Sequence, residues 1–72
     1  MKRTTSELVL LLREGGNLSV DIDGYSISEL KLLVDTAASS NGFIEFRNCN
    51  KVHTSEVLML IRYGKNKVKI VF

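Results

Sequence analysis

Residue types that carry covalent or metal chemistry are scarce in this sequence. The chain of 72 residues contains one cysteine, Cys49, and one histidine, His53. A lone cysteine excludes an intramolecular disulfide, and small domains of oxidising compartments usually carry several, so a cytoplasmic location is expected. One Cys and one His provide two ligands where zinc takes three or four, so we expect no metal, and no phosphate-loop motif indicates a cofactor.

Long apolar runs and a strong net charge are also missing. The apolar run Leu8–Leu12 covers five residues, whereas a membrane span needs about 18, so we expect a soluble protein that does not act at a membrane. The formal net charge is +2, which provides little attraction to nucleic acid or to anionic lipid.

The composition indicates a folded protein with a single core. Hydrophobic residues form 44% of the sequence and charged residues 25%, which is typical of a globular protein. A chain of this length can enclose one core but not two, so we predict a single domain over residues 1–72.

The strongest pattern in the sequence is a repeat. Three segments align without gaps, and each places Ser and Glu ahead of an apolar stretch, at residues 4–13, 26–35 and 53–62. All three are predicted helices, because Thr4 with Glu7 and Ser26 with Glu29 have the capping-box spacing. His53 stands at the corresponding cap position of the third segment.

Each predicted helix is followed by an alternating pattern that predicts a strand. Glycine and asparagine come first, at residues 15–17, 41–42 and 64–66, and can take the left-handed conformation that ends a helix. Apolar and polar residues then alternate over residues 18–23, 43–47 and 67–72, so each strand has one buried face. Helix and strand in alternation favour parallel pairing. We therefore predict an α/β fold of three helix–strand units, about 4–23, 26–47 and 53–72, with a three-stranded parallel sheet, helices on one face and a solenoid-like arrangement.

Residues 44–60 resemble one unit of a leucine-rich repeat of the cysteine-containing type. The positions of that pattern are occupied by Ile44, Phe46, Cys49, Val52, Thr54 and Leu60, and the resemblance covers about a quarter of the chain. It implies a binding scaffold whose sheet face contacts protein partners, without catalytic residues.

Two sets of residues invite a catalytic interpretation. Cys49 and His53 could form a nucleophile and its base, but no third orienting group or oxyanion site is identifiable. Packing of the thiol under a bend and a cap position for His53 are the favoured roles. Glu7, Glu29 and Glu56 lie in first helical turns, where a carboxylate favours the positive end of the helix dipole. We expect no enzymatic activity.

The polar side of the predicted sheet is the candidate partner-binding face. If the strands lie in sequential order, Asp21, Glu45 and Lys69 are expected to be lateral neighbours. We predict that this face binds a protein partner through Asp21, Asp23, Phe43, Glu45, Arg47, Lys67 and Lys69.

Basic residues towards the C-terminus suggest an alternative, a nucleic-acid-binding accessory protein. The residues concerned are Arg47, Lys51, Arg62, Lys65, Lys67 and Lys69, which could neutralise phosphates. Aromatic residues for base stacking are few, with only Phe43 and Tyr63 near them. We favour the explanation that lysines on a terminal strand discourage edge-to-edge aggregation.

The outer helices carry more apolar residues than one sheet can bury. The middle helix has Lys31 where the first helix has Val9 and the third has Leu58. Leu10 and Met59 come next in the outer helices. Either these side chains drive self-association or neighbouring helices bury them. The overall prediction is a small non-enzymatic module for protein–protein interaction or self-assembly, forming a homo-oligomer through Val9, Leu10, Leu58 and Met59.

Overall fold

A computed structural model describes residues 3–72 as helices and strands in strict alternation. The elements are α1 (Thr5–Arg13), β1 (Asn17–Asp21), α2 (Ile27–Ala38), β2 (Phe43–Arg47), α3 (Thr54–Gly64) and β3 (Val68–Ile70). Short 3-10 turns at Cys49–Lys51 and Lys65–Lys67 precede α3 and β3. The predicted α/β class and element order are confirmed.

The predicted capping boxes begin α1 and α2. The amide of Glu7 donates to Thr4 Oγ1 over 3.3 Å, and the Thr4 amide donates back to the Glu7 carboxylate. Ser26 and Glu29 exchange the same pair of bonds at the start of α2. His53 occupies the N-cap of α3, but its side chain makes no capping hydrogen bond. The first turn of α3 therefore lacks the reciprocal bonds that stabilise the other two.

The helix ends differ from the expectation that glycine or asparagine turns the chain by adopting a left-handed conformation. Gly15 does so after α1, with φ of 84°. At the end of α3 it is Lys65 that has positive φ, 55°, whereas Gly64 is helical. Gly64 is buried, and a Cβ there would overlap the side chain of Val68. Close packing against β3, not backbone freedom, requires glycine at position 64.

The sheet is parallel throughout, with the strands in the order β1-β2-β3. Its register corrects one expected row of neighbours. Glu45 lies beside Ser19 and Lys69, and Asp21 pairs with Arg47. The observed pairing of β1 with β2 is shifted by two residues from the expected one, so the same side chains stay on the uncovered face but meet different neighbours.

A single apolar core lies between the sheet and the three helices. The largest fully buried side chains come from the three helices, from β2 and from the segments that follow β1 and β2, and they are Phe46, Leu12, Ile22, Leu30, Leu33, Ile44, Leu60, Val34 and Cys49. The opposite face of the sheet carries the polar residues of the strands. The expected placement of the helices on one face is therefore confirmed.

Candidate interaction surfaces

A hydrogen-bonded row of polar side chains crosses the uncovered face of the sheet. Ser19 Oγ donates to Glu45 Oε2 over 2.7 Å, and Arg47 Nε donates to Ser19 Oγ over 3.1 Å. Lys69 Nζ lies 3.7 Å from Glu45 Oε1 and extends the row onto β3. Each charged group in this row has a partner of opposite charge or a hydroxyl, so the side chains are held in defined positions. Ser19, at the centre of the row, was not among the predicted residues.

The end of the sheet beyond Asp21 and Arg47 is tied together by the Asp21 carboxylate. Asp21 Oδ1 accepts from the Asp23 amide over 2.9 Å, and Oδ2 accepts from Asn48 Nδ2 over 2.6 Å. These bonds, the amide of Asp23 first, lower the pKa of Asp21, and the positive charges of Lys51 and Arg47 act in the same direction. Asp21 is therefore an anchored anion at the carboxyl ends of β1 and β2.

Two residues assigned to the sheet face lie outside the strands. Asp23 is exposed in the turn after β1, since that strand ends at Asp21. Lys67 is half-buried in the 3-10 turn before β3. Phe43 is placed as predicted, half-buried on the uncovered face beside Asn17. The uncovered face thus presents Ser19, Asp21, Phe43, Glu45, Arg47 and Lys69.

The basic residues proposed for nucleic acid do not form one uninterrupted surface. Lys69 is paired with Glu45, and Arg47 and Lys51 both lie close enough to Asp21 to lower its pKa. Arg62 is exposed on α3 and Lys65 in the following turn. Carboxylates interleaved with the cations reduce the attraction that the sheet end can exert on a polyanion.

Cys49 and His53 occupy different environments. Cys49 is fully buried, and its thiol donates to the carbonyl of Phe46 over 3.3 Å. Burial raises the pKa of the Cys49 thiol, so the nucleophilic thiolate is disfavoured. His53 is exposed, and within residues 3–72 no hydrogen bond joins it to the thiol. The arrangement matches packing of the thiol beneath the bend that follows β2.

The four residues assigned to self-association differ in how far their side chains are exposed. Leu10 and Leu58 are 60% and 49% exposed, and Met59 is half-buried against the core. Val9 is 8% exposed and belongs to the core. Its assignment to a self-association surface is therefore corrected, because α2 packs against α1 and covers this side of the helix.

Other exposed apolar side chains were missed by sequence reasoning. Leu11 on α1 and Ile61 on α3 are 41% and 46% exposed, and Leu32 and Phe72 are also exposed. Leu11 and Ile61 occupy positions that are buried in the neighbouring units of the repeat. The signal that could have identified these two is their place in the first and last units, where the described chain has a neighbouring helix on one side only.

A groove of about 410 Å³ runs between α1 and the outer edge of β1. Leu8 and Leu11 form its helix side, and Leu18 and Val20 form its strand side. Asp21 and Arg47 line it with the same apolar residues. The groove occupies the place that a preceding helix–strand unit would fill if the repeat continued in that direction.

The described residues provide neither a metal-binding cluster nor a membrane-spanning helix. No group of three or more His, Cys, Asp or Glu side chains within residues 3–72 is placed to hold a metal ion. None of the three helices in that range combines the length and apolar character required to cross a membrane. No known family model matches the chain, and no curated protein or solved structure is significantly similar to it.

Proposed function

We propose that this chain is a small non-enzymatic protein-interaction module that binds a protein partner through the uncovered face of its sheet. The observation that carries the proposal is the row of Ser19, Glu45, Arg47 and Lys69, which is held by hydrogen bonds and an ion pair on a face that the helices leave open. The resemblance of residues 44–60 to a leucine-rich repeat unit supports the same use of a sheet face.

The chemistry of this face favours protein over other ligand classes. Anions and cations alternate across it, so a partner with both charges can match it better than a polyanion can. The side chains are positioned before binding, which lowers the entropy lost when an interface forms. Phe43, half-buried beside the row, adds an aromatic surface of the kind enriched in interfaces. The proposal therefore places Arg47 and Phe43 at the centre of the contact.

The test compares two substitutions of the same type on different surfaces. Arg47→Glu alters the uncovered sheet face, and Arg62→Glu alters the exposed side of α3. A partner is isolated from nuclease-treated extract, purified, and titrated against wild-type protein and both variants. We expect Arg47→Glu to weaken binding by about 10-fold or more, as for a charge paired across an interface, and Arg62→Glu to change it little.

Two results would contradict the proposal. One is a purified partner whose affinity is unchanged by Arg47→Glu while the variant keeps the wild-type circular dichroism spectrum. The other is a set of chemical cross-links from the partner that map to the helix layer and not to the sheet face.

A nucleic-acid-binding function is the second candidate, supported by the exposure of Lys51, Arg62 and Lys65, which form no salt bridge within residues 3–72. Phosphate binding predicts affinity that falls steeply with salt. Titration of duplex and single-stranded DNA and RNA at low salt tests it. Comparable losses on Arg47→Glu and Arg62→Glu would support this candidate, and undetectable binding would eliminate it.

A further inference from the structure

We propose that copies of this chain associate head to tail, with the α3–β3 end of one copy docked in the α1–β1 groove of the next. The inference rests on the proposed function of a protein-interaction module and names a second copy as one partner. It uses the two ends of the helix–strand array, and the groove borders the uncovered sheet face at Ser19, Asp21 and Arg47. The groove is lined by Leu8, Leu11, Leu18 and Val20, and the docking end consists of α3 with β3.

Equivalent positions in the three helices show what the groove lacks. Leu11, Leu33 and Leu60 occupy the same position in the aligned units. Leu33 and Leu60 are fully buried, whereas Leu11 is 41% exposed. The chemistry of these three side chains is the same, so the difference lies in their surroundings. α2 and α3 each have a preceding helix beside them, and α1 has none in the described chain.

At the α3–β3 end, the exposed side of the helix is the one that faces a following unit in α1 and α2. Val9 and Leu12 of α1 are buried, and their equivalents on α3 are Leu58 and Ile61, which are both nearly half exposed. α1 has a following helix beside it, and α3 has none within residues 3–72. At the same position on α2, Lys31 Nζ lies 4.9 Å from the ring centroid of Tyr63 on α3, so this side of a helix does face the next unit. The two ends therefore carry the two halves of the contact that joins adjacent units inside the chain.

The strand edges at the two ends are open in the same sense. The amide of Ile22 donates to a carbonyl of β2, and the carbonyl of Gly16 accepts from an amide of β2. The N–H and C=O groups of the even-numbered residues of β1 therefore face β2. Alternation then leaves the groups of Asn17, Ser19 and Asp21 pointing away from the sheet. Val71 bonds to β2 in the same way, which leaves the backbone groups of 68, 70 and 72 facing outward. Placing β3 of one copy beside β1 of the next lets these two sets of backbone groups hydrogen-bond to each other and keeps the sheet parallel.

Charge disfavours a contact between two β3 ends. Lys65, Lys67 and Lys69 flank or belong to β3, so two β3 edges would bring lysines together, which is repulsive. The groove carries both charges, since Asp21 lines it together with Arg3 and Arg47. Continuing the internal register places Lys69 beside Ser19 of the second copy, two residues from Asp21 of the second copy.

A contact between two different surfaces does not close on itself unless the copies form a ring. Head-to-tail association therefore produces a series of oligomers, here called a ladder, whose average size increases with protein concentration. It does not produce a dimer of fixed size.

The test uses variants that each block one end. Leu11→Lys places a charge in the groove, and Leu58→Lys places one on the docking end of α3. Leu32→Lys is the matched control, because Leu32 is 50% exposed on the middle helix, which lies at neither end. We expect wild type and Leu32→Lys to show concentration-dependent ladders in sedimentation velocity. Each end-blocked variant alone should be monomeric, with affinity reduced by roughly 100-fold.

Mixing the two blocked variants gives the decisive measurement. Leu11→Lys retains a working α3–β3 end, and Leu58→Lys retains a working groove, so an equimolar mixture should form a heterodimer that grows no further. Monomers in the mixture would overturn head-to-tail association, as would a dimer formed by either variant alone. If Leu11→Lys loses the wild-type circular dichroism spectrum, Asp21→Lys blocks the same end by charge and takes its place.

A wild-type chain that stays monomeric up to about millimolar concentration, where even weak contacts are occupied, would also overturn the inference. That result would leave the proposed function standing, because the Arg47→Glu titration measures binding of a purified partner and not self-association, although Arg47 also lines the groove. If Arg47→Glu leaves partner binding unchanged while the wild-type protein still forms larger species with rising concentration, the sheet-face proposal is wrong and head-to-tail association stands.

Discussion

At the scale of single residues, Gly64 shows how tightly the helix layer and the sheet approach each other. The residue is the last of α3 and is buried beneath β3. A Cβ at this position would overlap Val68 Cγ2 and would also lie 2.9 Å from Val68 Cβ. Val68 is β-branched, so its χ1 rotation offers little room for adjustment. The positive φ of Lys65 completes the sharp turn from α3 into β3.

Gly64→Ala is therefore expected to lower the free energy of unfolding by about 1–3 kcal/mol, the usual cost of overpacking. The measurement is urea denaturation of wild type, Gly64→Ala, Val68→Ala and the double variant. We expect the cost of Gly64→Ala to be smaller when Val68 is already alanine, because the overlapping Cγ2 methyl group is then gone while the Cβ contact at 2.9 Å remains. Equal costs in both backgrounds would show that the overlap is not the reason for glycine.

At the scale of elements, the three helices use one sequence pattern but bury different residues. Val9 of α1 is buried, Lys31 of α2 lies over Tyr63, and Leu58 of α3 is exposed, although all three occupy one position of the repeat. Helical periodicity predicts which residues share a side of a helix. It does not predict whether another helix lies beside that side, which depends on the order of the units in space.

The substitution Val9→Lys tests this account against its neighbour Leu10→Lys. Val9 is covered by α2 and Leu10 is exposed at 60%. We expect Val9→Lys to lower the free energy of unfolding by about 2–4 kcal/mol, because a cation loses its hydration there. Leu10→Lys should change it by less than about 0.5 kcal/mol, as surface substitutions do. Thermal and urea unfolding of both variants measure the difference, and equal effects would place Val9 on the surface.

At the scale of the whole molecule, the three units share one core. The buried residues of α1, α2 and α3 form one cluster with those of the strands, and α2 lies between the other two helices. A unit of about 20 residues cannot bury enough apolar surface to be stable alone. The units therefore depend on one another for folding.

Leu33→Ala, at the centre of this core, tests that dependence. The side chain is fully buried on the middle helix, and its truncation should cost about 2–5 kcal/mol through lost burial and the cavity left behind. Tyrosine fluorescence reports on Tyr25, between the first and second units, and on Tyr63 in the third. This signal and circular dichroism should shift together and keep a single transition. Separate transitions for the two probes would show that the units fold independently.

The amino-acid sequence by itself determined the helix starts, the alternation of the strands and the α/β class. Capping boxes and hydrophobic periodicity are local, so Thr4, Ser26 and the strand patterns could be interpreted without knowing what packs where. The tertiary structure alone decided the pairing of Ser19 with Glu45, the burial of Val9, the exposure of Leu11 and the groove beside it. Register and burial depend on which elements lie next to each other, and a residue's neighbours in space are not encoded by the period of its own segment.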